Sequence, residues 1–125
     1  MPKVLFVDDE TKVLDAINRN LHKKADNWTL LFADNGNKAK EVLEEHSDVK
    51  VIVTDIMMPN LNGYELIVDV LKSYPGISPI VLSGHCDEHD RLEFERLGIP
   101  FFSKPLEIDE LIEAISKLFG AVHED

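Results

Sequence analysis

The sequence predicts an α/β protein in which a parallel sheet is covered by helices on both faces. Two observations carry this expectation. Short β-branched runs recur at Val4 to Val7, Trp28 to Ala33, Val51 to Thr54, Ile80 to Ser83 and Ile99 to Ser103, and each is followed by a segment of helical periodicity. Runs such as Val51-Ile52-Val53 are apolar without alternation, the pattern of strands buried on both faces. At 125 residues the chain has the length of one ordinary domain, so one core and one principal site are expected.

The helical segments carry apolar stripes at Val13, Leu14, Ile17 and Leu21; at Ala39, Val42 and Leu43; at Ile67, Val70 and Leu71; and at Leu111, Ile112, Ile115, Leu118 and Phe119. The fourth helix, Asp87 to Leu97, has only Leu92, Phe94 and Leu97 as large apolar residues, so it should be the least firmly anchored of the five. Gly98 and Gly120 are expected just past the fourth and fifth helices as C-terminal caps, and Pro75-Gly76 stops the third. The expected division is a domain over residues 1–120 and a short tail over 121–125, the start of a linker to an output domain.

Charge and composition narrow the function classes. With 13 basic and 24 acidic residues the formal charge is −11, which repels nucleic-acid phosphates and anionic membrane surfaces alike, so neither is an expected partner. The apolar runs are far shorter than the roughly 20 residues that cross a bilayer, and Met1-Pro2-Lys3 leads directly into a strand without a signal-peptide pattern. The single Cys86 excludes an internal disulfide, which fits a reducing compartment; the cytoplasm is the expected location.

In an open parallel sheet the ligand site lies beyond the carboxyl ends of the strands. Those ends carry Asp8-Asp9, Asp55, Ser83 and Lys104-Pro105. Three carboxylates converging within about 5 Å repel by roughly 3 kcal/mol per pair at an effective dielectric near 20, so the cluster calls for a cation. Hard oxygen donors with room for water suit Mg²⁺, and the lack of His or Cys at these ends argues against zinc. A hydroxyl from Ser83 and an ammonium from Lys104 are what a transferring phosphoryl group requires, with Asp55 as nucleophile. Taken alone, each residue has an ordinary explanation: Asp8 or Asp9 as a helix N-terminal acid, Asp55 as a turn residue, Ser83 as a cap, Lys104 as a solvated charge. Their conjunction at one edge is what selects the chemistry.

Over essentially its whole length the chain resembles the receiver domains of bacterial two-component response regulators. The resemblance rests on Leu5-Phe6-Val7-Asp8-Asp9-Glu10, on Asp55-Ile56-Met57-Met58-Pro59 with Gly63 eight residues beyond the aspartate, on Val81-Leu82-Ser83-Gly84 and on Phe101-Phe102-Ser103-Lys104-Pro105. It implies a flavodoxin-like, doubly wound five-stranded parallel sheet of order 2-1-3-4-5. It also implies phosphorylation of Asp55 by a histidine kinase or phosphotransfer protein, and Mg²⁺ held by Asp9, Asp55, Asp8 through water and the Met57 carbonyl. Ser83 and Phe101 match the switch positions, and the Lys104-Pro105 bond is expected to be cis. The surface of the fourth helix, fifth strand and fifth helix would then act on a partner protein, a linked output domain or a second copy. Met57 and His85 match positions that tune water attack on the phosphoryl group; Met57 offers no polar atom to orient a water, so slow hydrolysis is expected, whereas His85 could position water or face solvent.

The chain is thus expected to be a signalling phosphoacceptor that catalyses only its own phosphorylation and dephosphorylation. A haloacid-dehalogenase-type phosphatase would carry a second Asp where Met57 stands, and a flavin carrier would carry a Ser/Thr/Gly-rich loop after the first strand. An adaptor that is never phosphorylated would not need all five active positions. His22, His46, His89 and His123 lack ligand spacing, and Cys86 reads as a spectator thiol.

Overall fold

The computed structural model describes residues 2–24, 27–56, 63–84, 88–103 and 107–122. Strands and helices alternate through the chain: β1 (Lys3–Val7), α1 (Thr11–Lys24), β2 (Thr29–Ala33), α2 (Gly36–Glu45), β3 (Val49–Thr54), α3 (Gly63–Ser73), β4 (Ser78–Ser83), α4 (Glu88–Arg96), β5 (Phe101–Ser103) and α5 (Ile108–Val122). The strands form one parallel sheet in the order β2-β1-β3-β4-β5, the doubly wound arrangement expected from the resemblance.

Side-chain alternation along the strands divides the core between the two faces. Val4, Phe6, Val51, Val53, Ile80 and Leu82 pack with Leu14, Ile17 and Leu21 of α1 and Leu111, Ile115 and Phe119 of α5. Leu5, Val7 and Ile52 pack with Ala39 and Leu43 of α2 and with Leu66 and Val70 of α3. A smaller cluster of Ile56, Ile67, Val81, Phe94 and Ile99 lies toward α4. Burying a side chain of this size is worth about 1.5–3 kcal/mol, so covering both faces of the sheet is the main source of stability.

Helix ends follow local chemistry. The Asn35 side chain accepts a hydrogen bond from the Lys38 N–H at 2.8 Å and caps α2. After α4, Gly98 adopts φ 74°, the left-handed conformation that glycine reaches without a Cβ clash. The Gly98 N–H donates to Glu95 O at 3.0 Å and the Ile99 N–H to Phe94 O at 2.9 Å, a Schellman cap. Ile99 and Phe94 share the smaller cluster, which supplies the hydrophobic contact that accompanies such a cap.

Several boundaries differ from the sequence expectation. The cap takes up Ile99, and although the Pro100 carbonyl accepts from the Val81 N–H at 2.9 Å, the paired residues of β5 start at Phe101. β4 starts at Ser78 and includes Pro79, which pairs with Ile52; β5 reaches β4 only from Val81 onward, so β4 is an edge strand at Pro79 and the missing N–H is tolerated there. Gly120 does not end α5, which continues to Val122; one glycine in a last turn costs roughly 1 kcal/mol and does not by itself stop a helix. In α3 the buried stripe is Leu66, Ile67 and Val70, whereas Leu71 is 40% exposed. In α4 only Phe94 is buried; Leu92, and Leu97 just past its end, are exposed.

The α3 stripe gives a direct test. Leu66→Ala should lower unfolding stability by about 2–5 kcal/mol, while Leu71→Ala should cost less than about 1 kcal/mol. Urea denaturation of the two variants measures the difference, and equal losses would contradict the orientation of α3.

Candidate functional site

The pairing of β1 with β3 builds the site. Val7 stands opposite Thr54, so the next residue on each strand, Asp8 and Asp55, emerges at the same carboxyl edge. The backbone continues the alignment past the ladder: the Asp55 N–H donates to Val7 O at 3.0 Å and the Asp8 N–H donates to Ala33 O at 3.2 Å. Asp8 and Asp55 are 2% and 5% exposed, whereas Asp9 is exposed. One carboxylate oxygen from each of Asp8, Asp9 and Asp55 lies within 4.8 Å of the others.

Asp8 Oδ1 accepts from the Glu10 N–H at 2.9 Å, just before α1, so it does satisfy a backbone donor at the helix entry. That contact leaves its carboxylate within the cluster, and both roles coexist. Asp55 is buried, unlike a plain surface turn residue. Ser83, 2% exposed, ends β4 beside β3 and pairs in register with Ser103 of β5. Lys104 and Pro105, Met57 to Pro59, and His85 with Cys86 lie outside the described residues, as do the cis bond and the carbonyl ligand expected there.

The three carboxylates fit Mg²⁺. An octahedral shell with bonds of about 2.0–2.1 Å sets neighbouring donors roughly 3 Å apart and opposite donors roughly 4 Å apart. A spread of up to 4.8 Å is reached by small side-chain rotations or by one bridging water. Among the described residues no other group of His, Cys, Asp or Glu converges in this way. Of the histidines, His46 lies 3.2 Å from Lys3 Nζ, near the start of β1 and so at the opposite edge of the sheet, and His89 lies beside Asp90 at the surface.

Sequence reading did not single out Thr54. Its hydroxyl, in a fully buried side chain, donates to the main-chain carbonyl of Asp55 at 2.9 Å. The available signal was one polar residue ending the run Val51-Ile52-Val53. Nor did it foresee that Ile56, directly after Asp55, packs with Val81 and Phe94, with Tyr64 and Phe101 at the margin of the same cluster.

Mutual repulsion in the cluster has a measurable consequence. At 4.8 Å each pair repels by about 3 kcal/mol at an effective dielectric of 20, reduced further where Asp9 meets solvent. Mg²⁺ at a hundredfold excess over its Kd should stabilise the wild type by about 2.7 kcal/mol and Asp55→Asn by much less. Urea unfolding with Mg²⁺ and with EDTA measures the difference; equal stabilisation of the two proteins by Mg²⁺ would exclude Asp55 from the metal site.

Comparison with known proteins agrees with this geometry. The family profile described as response regulator receiver domain matches residues 4–116. The hydrogenase transcriptional regulatory protein HoxA of Cupriavidus necator is 34% identical over 120 residues, covering 94% of this chain and 24% of HoxA. The transcriptional regulatory protein DegU of Brevibacillus brevis is 29% identical over 114 residues, covering 90% of this chain and 48% of DegU. The chain thus spans a quarter to a half of the length of these relatives. Among solved structures, a response regulator receiver domain protein from Clostridium thermocellum superposes with a TM-score of 0.89 at 25% identity, covering 98% of each chain. The response regulator protein TrrA of Thermotoga maritima, in complex with Mg²⁺-BeF, superposes with a TM-score of 0.81 at 24% identity over 94% of this chain and 99% of TrrA. On the profile match over residues 4–116, with the sheet order and the carboxylate edge as found, the chain belongs to the response regulator receiver domain family.

Proposed function

We propose that this chain is the phosphoacceptor of a two-component system and that Asp55 takes the phosphoryl group. The observation that carries the reading is the convergence of Asp8, Asp9 and Asp55 at the carboxyl edge of the sheet, two of them buried. The donor is a phosphohistidine on a histidine kinase or phosphotransfer protein. An Asp55 carboxylate oxygen forms the new O–P bond as the donor's N–P bond breaks, and the electron pair returns to the donor imidazole. Bound Mg²⁺ would neutralise charge on the phosphoryl oxygens. Asp8, Asp9 and Asp55, with the Met57 carbonyl, would hold it; Ser83 would donate to a second phosphoryl oxygen and Lys104 would pair with the third. The complex of TrrA with Mg²⁺-BeF supports the same pairing of cation and phosphoryl mimic in a related fold.

The chain serves as a signalling element, its own chemistry limited to gaining and losing the phosphoryl group. The cytoplasm is the proposed setting; no helix among the described residues is long and apolar enough to cross a membrane. Residues 1–120 constitute the receiver unit, with 121–125 leading toward an output domain, consistent with relatives two to four times as long. The net charge of −11 favours a protein target for this unit over direct contact with nucleic acid or membrane.

Output is proposed to run through Ser83 and Phe101 to the surface of α4, β5 and α5, where a partner, an output domain or a second copy would dock. Phe101 is half-buried at the margin of the cluster that holds Ile56 and Val81. It also borders a groove of about 440 Å³ lined by Arg91, Glu95, Ile99, Pro100 and Ser103, so it has room to move. A phenylalanine reports by packing alone, because it has no hydroxyl to place at the surface.

Intact-mass measurement after incubation with acetyl phosphate and Mg²⁺ should show one added phosphoryl group in the wild type and none in Asp55→Ala. Continuous turnover of phosphomonoesters would instead indicate a phosphatase. Followed over time, the adduct should decay faster in Met57→Asn, and an unchanged or longer lifetime would remove Met57 as a brake on hydrolysis. Amide spectra with and without an acyl-phosphate analogue should differ along α4, β5 and α5; identical spectra at full occupancy of Asp55 would eliminate the proposed output surface.

A further inference from the structure

We infer that Thr54 is a positioning residue for the Asp55 carboxylate, acting through the backbone; the inference rests on the phosphoacceptor reading above. Thr54 is fully buried at the end of β3, where its register partners are Val7 and Val81 and the three preceding residues are Val51, Ile52 and Val53. Valine has nearly the same shape and would fill this site without bringing a hydroxyl out of water. A buried hydroxyl is a net cost unless it makes a hydrogen bond. Here the Thr54 hydroxyl donates to Asp55 O at 2.9 Å.

That bond completes a pair. The peptide group before Asp55 is fixed because its N–H donates to Val7 O at 3.0 Å. The peptide group after Asp55 is fixed because its carbonyl accepts from Thr54. Peptide groups are planar, so holding the planes on both sides of one Cα restricts φ and ψ together and fixes the direction of the Cα–Cβ bond. The Asp55 carboxylate is thereby aimed at Asp8 and Asp9 before any ligand arrives. Without the hydroxyl, the second peptide group can turn, and the carboxylate no longer meets a cation in one geometry.

Calorimetric titration with Mg²⁺ alone, without a phosphoryl donor, tests this on the full chain. Loss of an outer-shell partner typically weakens metal binding about 10- to 100-fold, so Thr54→Val should weaken Mg²⁺ about tenfold and Thr54→Ser should bind within about twofold of wild type. Should Thr54→Val fail to fold, Thr54→Ser against Thr54→Ala isolates the hydroxyl, and the tenfold gap should appear between those two. Thermal midpoints of the metal-free proteins separate positioning from packing: a merely structural role would lower the midpoint and leave Mg²⁺ affinity unchanged, which would overturn the inference. A wild type that binds no Mg²⁺ would overturn the phosphoacceptor reading itself, and a wild type that binds it alongside an equally tight Thr54→Val would overturn only the role of Thr54.

Discussion

The register of β1 against β3 is the constraint from which the site follows. These two central strands pair with Val7 opposite Thr54, and the hydrogen bond from the Asp55 N–H to Val7 O extends the pairing one residue beyond the ladder. Side chains alternate between the faces of a strand, so a slip of one residue would send Asp55 to the other face and move the apolar set of β3 out of the core. The register is not uniform along the strands: Lys3 pairs with Val49 but Val4 pairs with Val51, so one extra residue is accommodated at Lys50. Lys50 is exposed, as an unpaired residue at an irregularity can be. Taking up that residue at the far end lets the carboxyl ends finish level, with Asp8 beside Asp55.

Once the two strand ends are level, the rest of the edge is built around a conflict between packing and charge. Asp8 and Asp55 are carried into a nearly solvent-free position by strands whose apolar residues bury themselves on both faces. Hydrophobic burial distributed over the whole sheet can sustain a repulsion of a few kcal/mol confined to one edge. The same conflict would favour a bound cation, because the carboxylates are already gathered and small side-chain rotations or one bridging water would complete its shell.

Much of this was legible in the sequence because it depends on periodicity and on strand ends. Unalternating runs such as Val51-Ile52-Val53 announced a parallel sheet, and the acids at Asp8, Asp9 and Asp55 stood where such a sheet presents its ligand site. The strand order came from the resemblance, since periodicity is silent on which strands adjoin. Details set by tertiary geometry were not legible. Leu66 and Leu71 are the same residue type on one helix, about 140° apart around it at 3.6 residues per turn, and which of them is buried depends on the face that α3 turns to the sheet. Pro79 could be admitted to β4 only once β5 was known to be short. Gly98 ends its helix and Gly120 does not, although both looked alike as caps; at Gly98 the following Ile99 finds a buried partner in Phe94. Thr54 was unreadable for a related reason: a hydroxyl's role lies in the acceptor it reaches, and that acceptor is set by how the chain leaves β3.

The manner in which α4 is attached bears directly on the proposed output. Phe94 is its single buried side chain, while Leu92 and the adjoining Leu97 remain exposed, so most of its length contributes little to the core. Phe94 nevertheless packs in the cluster that includes Ile56, next to Asp55, and Val81, two residues before Ser83. A helix anchored at many points would move only at the cost of many buried contacts, whereas one held chiefly at a single ring can change orientation for far less. The Schellman cap at Gly98 sits immediately beyond that ring and ties the end of α4 to the start of β5 through Ile99. Phe101 follows two residues later, at the margin of the same cluster. A displacement originating at Asp55 or Ser83 would therefore meet, within one small group of apolar side chains, both the buried side chain of α4 and the first residue of β5. On the proposed reading, weak attachment of α4 is the physical counterpart of rigid placement at Asp55: the first would allow a small free-energy change at a phosphorylated Asp55 to redistribute conformations at the surface, and the second would make that change originate in one defined geometry.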